Sequence, residues 1–494
     1  MLFNSIDFLV FFPIVVLIYF IIPIKLRYIW LLIASYYFYM SWNAKYVILI
    51  LFSTIVTYLS GILIEKASGP GQKKLVAAAS LFANLSVLGF FKYFDFFIHN
   101  LNKLLEAVHI RLIDNPFSFL LPVGISFYTF QAISYTMDVY RGKAAPEKNL
   151  LKYALFVSFF PQLVAGPIEK TENLLTQIND SCRKRMPSFD QFLSGFTLML
   201  WGLFMKMVIA DRISLFVDGV FGRLYMAGTV ETVLAAAAFA IQIYGDFAGY
   251  SITALGAARI MGFELTDNFN APYFSGSIGD FWHRWHISLS TWFRDYLYIP
   301  LGGSRKGAFR KYCNLMITFS VSGLWHGAAW TFVFWGMLHG LYRVAGDLLK
   351  PAREKLNRAF HVRTDAFSYH FGKILITFTL VDFAWIFFRA ESMEQILLFF
   401  NRMFTRFNPW VLFDESLFRY GLDRTEAGIL MASLLVLFAV DLLRYLKNVN
   451  LGDFLVKQNL WFQYAVLLAL TVSILVFGKY GIDFDSSQFI YFQF

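Results

Sequence analysis

The chain predicts an all-α polytopic membrane protein, and three observations carry that expectation. Of its 494 residues, 58% are hydrophobic, 19% are aromatic and only 15% are charged. Soluble domains carry about 25% charged residues and need no such excess of apolar surface. Many segments approach the roughly 20 apolar residues that cross a bilayer as a helix. They are Phe8–Ile24, Tyr46–Ile64, Leu75–Phe91, Phe119–Tyr135, Phe192–Ile209, Val233–Tyr244, Leu315–Phe334, Ile374–Phe388, Ile429–Leu443 and Trp461–Phe477. Basic loops separate them. The first segment has no basic n-region and no small-residue cleavage site before the next apolar run, so it reads as a retained helix and not as a cleaved signal.

The loop charges set an orientation, because cytoplasmic loops keep Lys and Arg. The basic loops are Lys25/Arg27, Lys66/Lys73/Lys74, Arg141/Lys143/Lys148, Arg183–Arg185, Arg305–Lys311, Arg343–Arg358 and Arg444/Lys447. With these inside, Met1 and the tail after Trp461–Phe477 both lie outside. The net charge of +10 is the sum of these loops and forms no single basic face, which argues against a nucleic-acid partner. Cys182 and Cys313 fall in cytoplasm-facing stretches, where thiols stay reduced, so no disulfide is expected.

Several apolar runs are interrupted. "SFFPQLVAGPIEK" contains Pro161, Gly166 and Pro167, and "LLPVGISFYTFQ" contains Pro122 and Gly124. Broken backbone is tolerated at membrane depth only where protein or a cavity satisfies it, so these segments predict a hollow centre lined by broken or re-entrant helices. No internal repeat is apparent, which disfavours a transporter built of inverted halves.

Three of the eight histidines lie close to one another in the sequence, flanked by tryptophans. In a helical reading of "FWHRWHISLSTW", His283 and His286 share one face and address one cavity. No metal is expected there: the pair lacks the glutamate of H-E-x-x-H, and no third ligand is near. His326 sits in "SGLWHGAAWTF", inside a predicted span, where Gly323, Gly327, Ala328 and Ala329 leave room around the ring. An ionisable side chain inside the membrane is costly and marks a functional path, and histidine suits taking a proton from a hydroxyl. A purely packing role stays open for each histidine, more so for His283 and His286 than for His326. His339, His361 and His370, at helix ends or in a basic loop, are expected to be solvated.

"DFWHRWHISLSTWFRDYLYIPLGGSRKG" followed by "GLWHGAAWTFVFWGMLHG" resembles the membrane-bound O-acyltransferase (MBOAT) family, in its bacterial alginate and peptidoglycan O-acetylation branch. The likeness extends to "LLPVGISFYTFQAISYTMDVYRG", "FFPQLVAGPIEK", "IQIYGDFAGYSITALGAARIMGFELTDNFNAPY" and "DFAWIFFRAES", in the family's order. One departure is Ala248, where relatives commonly carry Ser.

The resemblance implies one MBOAT membrane domain over 1–494, with about ten or more transmembrane helices and re-entrant segments around a central tunnel, in the bacterial cytoplasmic (inner) membrane. Membrane lipids surround it. An acetyl group passes from cytoplasmic acetyl-CoA, a substrate with no permanently bound cofactor beside it, to an exported acceptor. By motif, His326 matches the family's central histidine and His286 its second polar partner. Attack on a thioester needs a base and a stabiliser for the developing oxyanion; His326 suits the first role, and His286 or a backbone donor near Gly323 the second.

In "LGGSRKGAFRK", the stretch Gly303, Ser304, Arg305 and Lys306 is the candidate holder of the coenzyme A phosphates. It lacks P-loop spacing, and a basic loop obeying the positive-inside rule explains the same charges. The tail 479–494 ends in "FIYFQF", which suits an interfacial aromatic belt. The resemblance instead implies that Tyr491 enters the tunnel from outside and accepts the acyl group. An extracytoplasmic SGNH-hydrolase-like partner then carries acetyl to a cell-surface polysaccharide. Two other classes stay open: a transporter or flippase of acyl or lipid-linked sugar, and a membrane-embedded polysaccharide polymerase.

Overall fold

A computed structural model of the chain describes residues 1–114, 122–180 and 187–480, and the regular structure among them is helical. Among the described residues, seven helices are long and apolar enough to cross a membrane: Ala44–Lys66, Pro70–Ala107, Phe189–Phe221, Thr229–Ile260, Phe367–Arg389, Arg424–Lys447 and Leu460–Phe477. A shorter apolar helix covers Ile6–Ile21. The expected span Leu315–Phe334 is corrected. One helix, Ala308–His326, ends there and another, Trp330–Leu348, begins after an extended Gly327 and Ala329.

The chain divides into two compact units, Met1–Gly195 with Ala257–Thr266, and Phe196–Gly256 with Asp267–Phe494. In the first, the helix Ile125–Tyr140 is buried almost throughout. Its polar residues and those of its neighbours satisfy one another: Ser53 donates to Asn84 at 2.6 Å, Tyr153 to Thr57 at 2.6 Å, and Ser60 and Thr136 meet at 3.0 Å. The predicted break at Pro161 is present and has a local explanation. The helix Leu150–Ser158 stops at Phe159, so the Phe156 carbonyl loses its helical partner. Gln131 and Gln162 donate to that carbonyl at 2.6 and 2.9 Å, while Phe160 N–H donates to Ser35 at 3.1 Å. Side chains thereby replace the bonds that a continuous helix makes within itself.

The π-helical stretch Phe204–Ala210 lies in the second unit. Gly249 on the helix Thr229–Ile260 lies against it; a Cβ there would sit 2.7 Å from the Gly202 carbonyl oxygen. This close approach is what small residues permit between membrane helices. It brings Asp246 to 2.5 Å from the buried Lys206 ammonium, whose other carboxylate partner, Asp211, lies at 2.8 Å. Losing one member of such a buried group is expected to cost more than the whole group contributes, because the remaining charge is left uncompensated.

Candidate active site

The helices Ala308–His326 and Trp330–Leu348 fold back on each other at backbone distance. A Cβ on Gly336 would lie 3.1 Å from Gly323 Cα, and one on Gly323 would strike the Phe332 carbonyl. The small residues of "SGLWHGAAWTF" therefore close the two helices together, which corrects the expectation that they leave room around the histidine. His326 ends the first helix and is 4% exposed. Its ring is packed against Trp325, Trp335 and Phe388, with centroids at 4.9, 5.0 and 5.4 Å.

His286 reaches the same place by a different device. The continuous helix expected over "FWHRWHISLSTW" is two short helices, Ile278–Arg284 and Ile287–Phe293, with His286 between them in the left-handed region at φ +44°. Non-glycine residues rarely adopt that conformation, and when they do it clusters at functional sites. The turn separates the two histidines, so the shared face is corrected. The His286 ring lies 6.4 Å from that of His326 and 4.7 Å from Phe247, centroid to centroid, whereas His283 lines a cavity.

His339 is likewise corrected: it is fully buried, not solvated, and accepts a hydrogen bond from Trp282 Nε1 at 3.3 Å. Its position one turn after Trp335 puts it inside the aromatic cluster, where hydropathy alone cannot separate a helix end from a helix core. His361 and His370 are exposed. Asn268, to which the sequence reading gave no role, touches His286: its Oδ1 lies 3.4 Å from the His286 Nδ1. No local motif marks it, because its partners lie 18 and 20 residues further on.

A cavity of about 260 Å³ runs beside this site. Lys311, Leu315, Thr318, Phe319 and Ser322 line it from the helix Ala308–His326, and Ser322 is one turn before His326. At 1.5 Å per residue this face is on the order of 16 Å long. Its basic lining comes from Arg294, Lys311 and Arg343, and His283 also lines it. Arg294 is paired with Asp295 at 2.8 Å and Lys311 with Asp347 at 2.6 Å. Arg343 has no carboxylate partner among the described residues. Its guanidinium occupies the space that a Cβ on Gly279 would take.

Gly303, Ser304, Arg305 and Lys306 do not line that cavity. Ser304, Arg305 and Lys306 are exposed, and Gly303 is held by Asn314, which donates to its carbonyl at 3.0 Å. A second cavity of about 790 Å³, between the helices Arg424–Lys447 and Leu460–Phe477, is lined almost wholly by apolar side chains and offers no titratable group. Among the described residues, no group of three or more His, Cys, Asp or Glu is placed to hold a metal. Cys313 is a free thiol. Tyr491 and Cys182 lie outside the described residues.

Comparison with known proteins bears on what a buried histidine pair beside a basic-lined cavity does. The MBOAT, membrane-bound O-acyltransferase family, matches residues 145–378. The chain is 38% identical over 444 residues to a probable alginate O-acetylase AlgI of Pseudomonas aeruginosa, covering 88% of this chain and 81% of that one. It is 36% identical over 400 residues to a peptidoglycan O-acetyltransferase of Helicobacter pylori, covering 75% and 72%. A teichoic acid D-alanyltransferase of Bacillus subtilis is 26% identical over 295 residues, covering 57% and 71%. The chain belongs to the membrane-bound O-acyltransferase family and is an acyltransferase.

Proposed function

We propose that this acyltransferase takes an acetyl group from cytoplasmic acetyl-CoA and passes it through the membrane toward O-acetylation of a cell-surface polysaccharide. His326 acts as general base, His286 as its polar partner and Tyr491 as first acceptor. The observation that carries the reading is the pairing of His286 with His326, 6.4 Å apart, one helical turn beyond a cavity with basic side chains in its lining. The names of the relatives support the acetyl group and a polymeric acceptor, since two are O-acetylating proteins of alginate and peptidoglycan.

In this reading the pantetheine arm of the donor lies along the face from Lys311 to Ser322. Arg343 binds a phosphate at the basic end, and Gly303, Ser304, Arg305 and Lys306 contact the outer part of the coenzyme. A guanidinium without a carboxylate partner gains most from a phosphate ligand. Attack by the Tyr491 hydroxyl oxygen on the thioester carbonyl forms the ester C–O bond and breaks the C–S bond. The phenol proton passes to His326 and then to the departing thiolate. A phenol with a pKa of ~10 needs such a base at neutral pH.

The tail stands outside the inner membrane by the loop charges, as does the amino terminus. An SGNH-hydrolase-like partner there removes the acetyl group from Tyr491 and gives it to the polymer. Tyr491→Phe keeps the ring and removes the oxygen that is acylated. In cells producing this variant, polymer acetylation is expected to stop, while slow thioester hydrolysis at His326 persists. Normal acetylation by a stably inserted Tyr491→Phe protein would return the tail to an interfacial anchor.

A further inference from the structure

We infer that Asn268 is the positioning residue of His286: it fixes the imidazole as the Nδ1–H tautomer, so that neutral His286 presents an unprotonated Nε2. The inference rests on the proposed role of His286 and goes beyond it by assigning which nitrogen carries the proton.

Ser288 fixes the orientation of the Asn268 amide. Ser288 backbone N–H donates to Asn268 Oδ1 at 3.2 Å, and the Ser288 hydroxyl lies 2.7 Å from the same oxygen. A flipped amide would set its NH₂ against the Ser288 N–H, donor against donor, so Oδ1 is the atom on that side. The backbone adds a third tie, with Ile287 N–H donating to the Asn268 carbonyl at 3.0 Å. Asn268 is thus clamped to both residues that follow His286. It is 2% exposed, which keeps water from competing for these bonds.

The same Oδ1 stands 3.4 Å from His286 Nδ1. A carbonyl oxygen only accepts, so the ring nitrogen facing it is the one that bears hydrogen. In a neutral imidazole the other nitrogen then holds the lone pair. The left-handed turn at His286 is what swings Nδ1 toward Asn268, and Phe247 packs against the ring at 78° to its plane, resisting rotation.

The consequence for the chemistry is a change of role. The sequence reading offered His286 as an oxyanion stabiliser, which requires a donor. With Nδ1–H spent on Asn268, neutral His286 accepts at Nε2, and donates there only after taking a proton. It belongs to the path of the hydroxyl proton, beside His326. By analogy with the groups that orient metal-bound histidines, whose loss costs about 10–100-fold, an effect of that order is expected here.

Three measurements on the full-length protein in detergent or membranes test this. Asn268→Leu removes the acceptor at similar volume, and the turnover rate from acetyl-CoA is expected to fall about 10–100-fold with KM for acetyl-CoA within about twofold. Asn268→Asp keeps an oxygen toward Nδ1 and should restore the rate to within about tenfold of wild type. If Asn268→Asp is folded yet as slow as Asn268→Leu, the role belongs to the Nδ2 donor and the tautomer assignment is overturned.

Nitrogen-15 spectra of histidine-labelled wild-type protein, with the His286 signals identified by their loss in His286→Gln, read the tautomer without any Asn268 variant. A pyrrole-type Nδ1 and a pyridine-type Nε2 are expected, and the reverse pattern would refute the inference. His286→Ala and His326→Ala serve as references. Should both turn over normally, the site itself is misplaced. Should both fail while Asn268→Leu is normal, only the positioning role falls.

Discussion

In the unit Met1–Gly195 with Ala257–Thr266, buried hydroxyls and amides end on one another or on carbonyls freed by helix breaks: Tyr153 on Thr57, Gln131 and Gln162 on Phe156, Ser53 on Asn84. Around His326 in the other unit the neighbours are rings, from Trp325, Trp335, Phe388 and His286. Both arrangements place polar groups in an apolar interior. The first uses them as structural hydrogen bonds, each a modest gain that avoids the larger cost of an unmet donor or acceptor. The second sets two imidazoles among aromatic rings, at the place where the proton transfer is proposed. Burial of a polar residue in a membrane protein is thus no sign of chemistry by itself; what surrounds it decides.

The comparison breaks most sharply at His326. His326→Ala is expected to lower acetyl transfer by on the order of 100-fold to 10,000-fold, as loss of a general base does, with insertion and expression intact. Rates within twofold of wild type would put His326 among the structural polar residues. Next in size is the contrast within the first histidine pair. His286→Ala should cost on the order of 100-fold and His283→Ala far less, because the turn at φ +44° sends only His286 toward His326. Greater sensitivity at His283 in the same transfer assay would reverse that assignment.

Arg343→Ala should raise the KM for acetyl-CoA about tenfold, about 1.4 kcal/mol, with little change in the rate at saturation. A fall in that rate alone would remove Arg343 from donor binding. Tyr153→Phe, in the hydrogen-bonded unit, should lower stability by about 0.5–1 kcal/mol and leave turnover per folded molecule unchanged, which thermal unfolding in detergent and the transfer assay read together. A pH-dependent contrast concerns Glu169, in the loop after Leu163. Burial pushes its carboxyl up to about 7, against hydrogen bonds from Thr266 and Asn173 that pull the other way. A carboxyl raised in the folded state contributes stability that is fully present below about pH 4.5 and is lost as pH rises through about 7. Glu169→Gln should flatten stability across that window; an unchanged slope would show that another group carries it.

Much of this was legible in the chain. Apolar runs and loop charges predict an all-helical membrane protein, and Pro161 predicts a broken helix, because each rests on local chemistry. The pairing of His286 with His326 came from the family resemblance, and the structure brings the two rings together. What stayed hidden depends on conformation or on distant partners. The left-handed turn at His286 has no glycine to announce it, so a helical reading put it beside His283. The break after His326 lies within the apolar run Leu315–Phe334, and no proline marks it. His339 is buried by aromatic residues from other helices, and Asn268 acts across a gap of 18 residues. The basic lining of the cavity comes from Arg294, Lys311 and Arg343, which no contiguous motif joins, whereas the contiguous Gly303–Lys306 stretch draws the eye.

The central claim is that this histidine pair performs acyl transfer and is no mere packing feature of a transport path. Purified wild-type protein, given acetyl-CoA labelled on the acetyl group and no polymer or outer partner, tests it most directly. The account predicts free coenzyme A in a burst of about one equivalent, with one acetyl group retained on the C-terminal peptide that contains Tyr491, and neither product from His326→Ala. Acetyl-CoA left intact by folded wild-type protein, or coenzyme A released equally by His326→Ala, would contradict it.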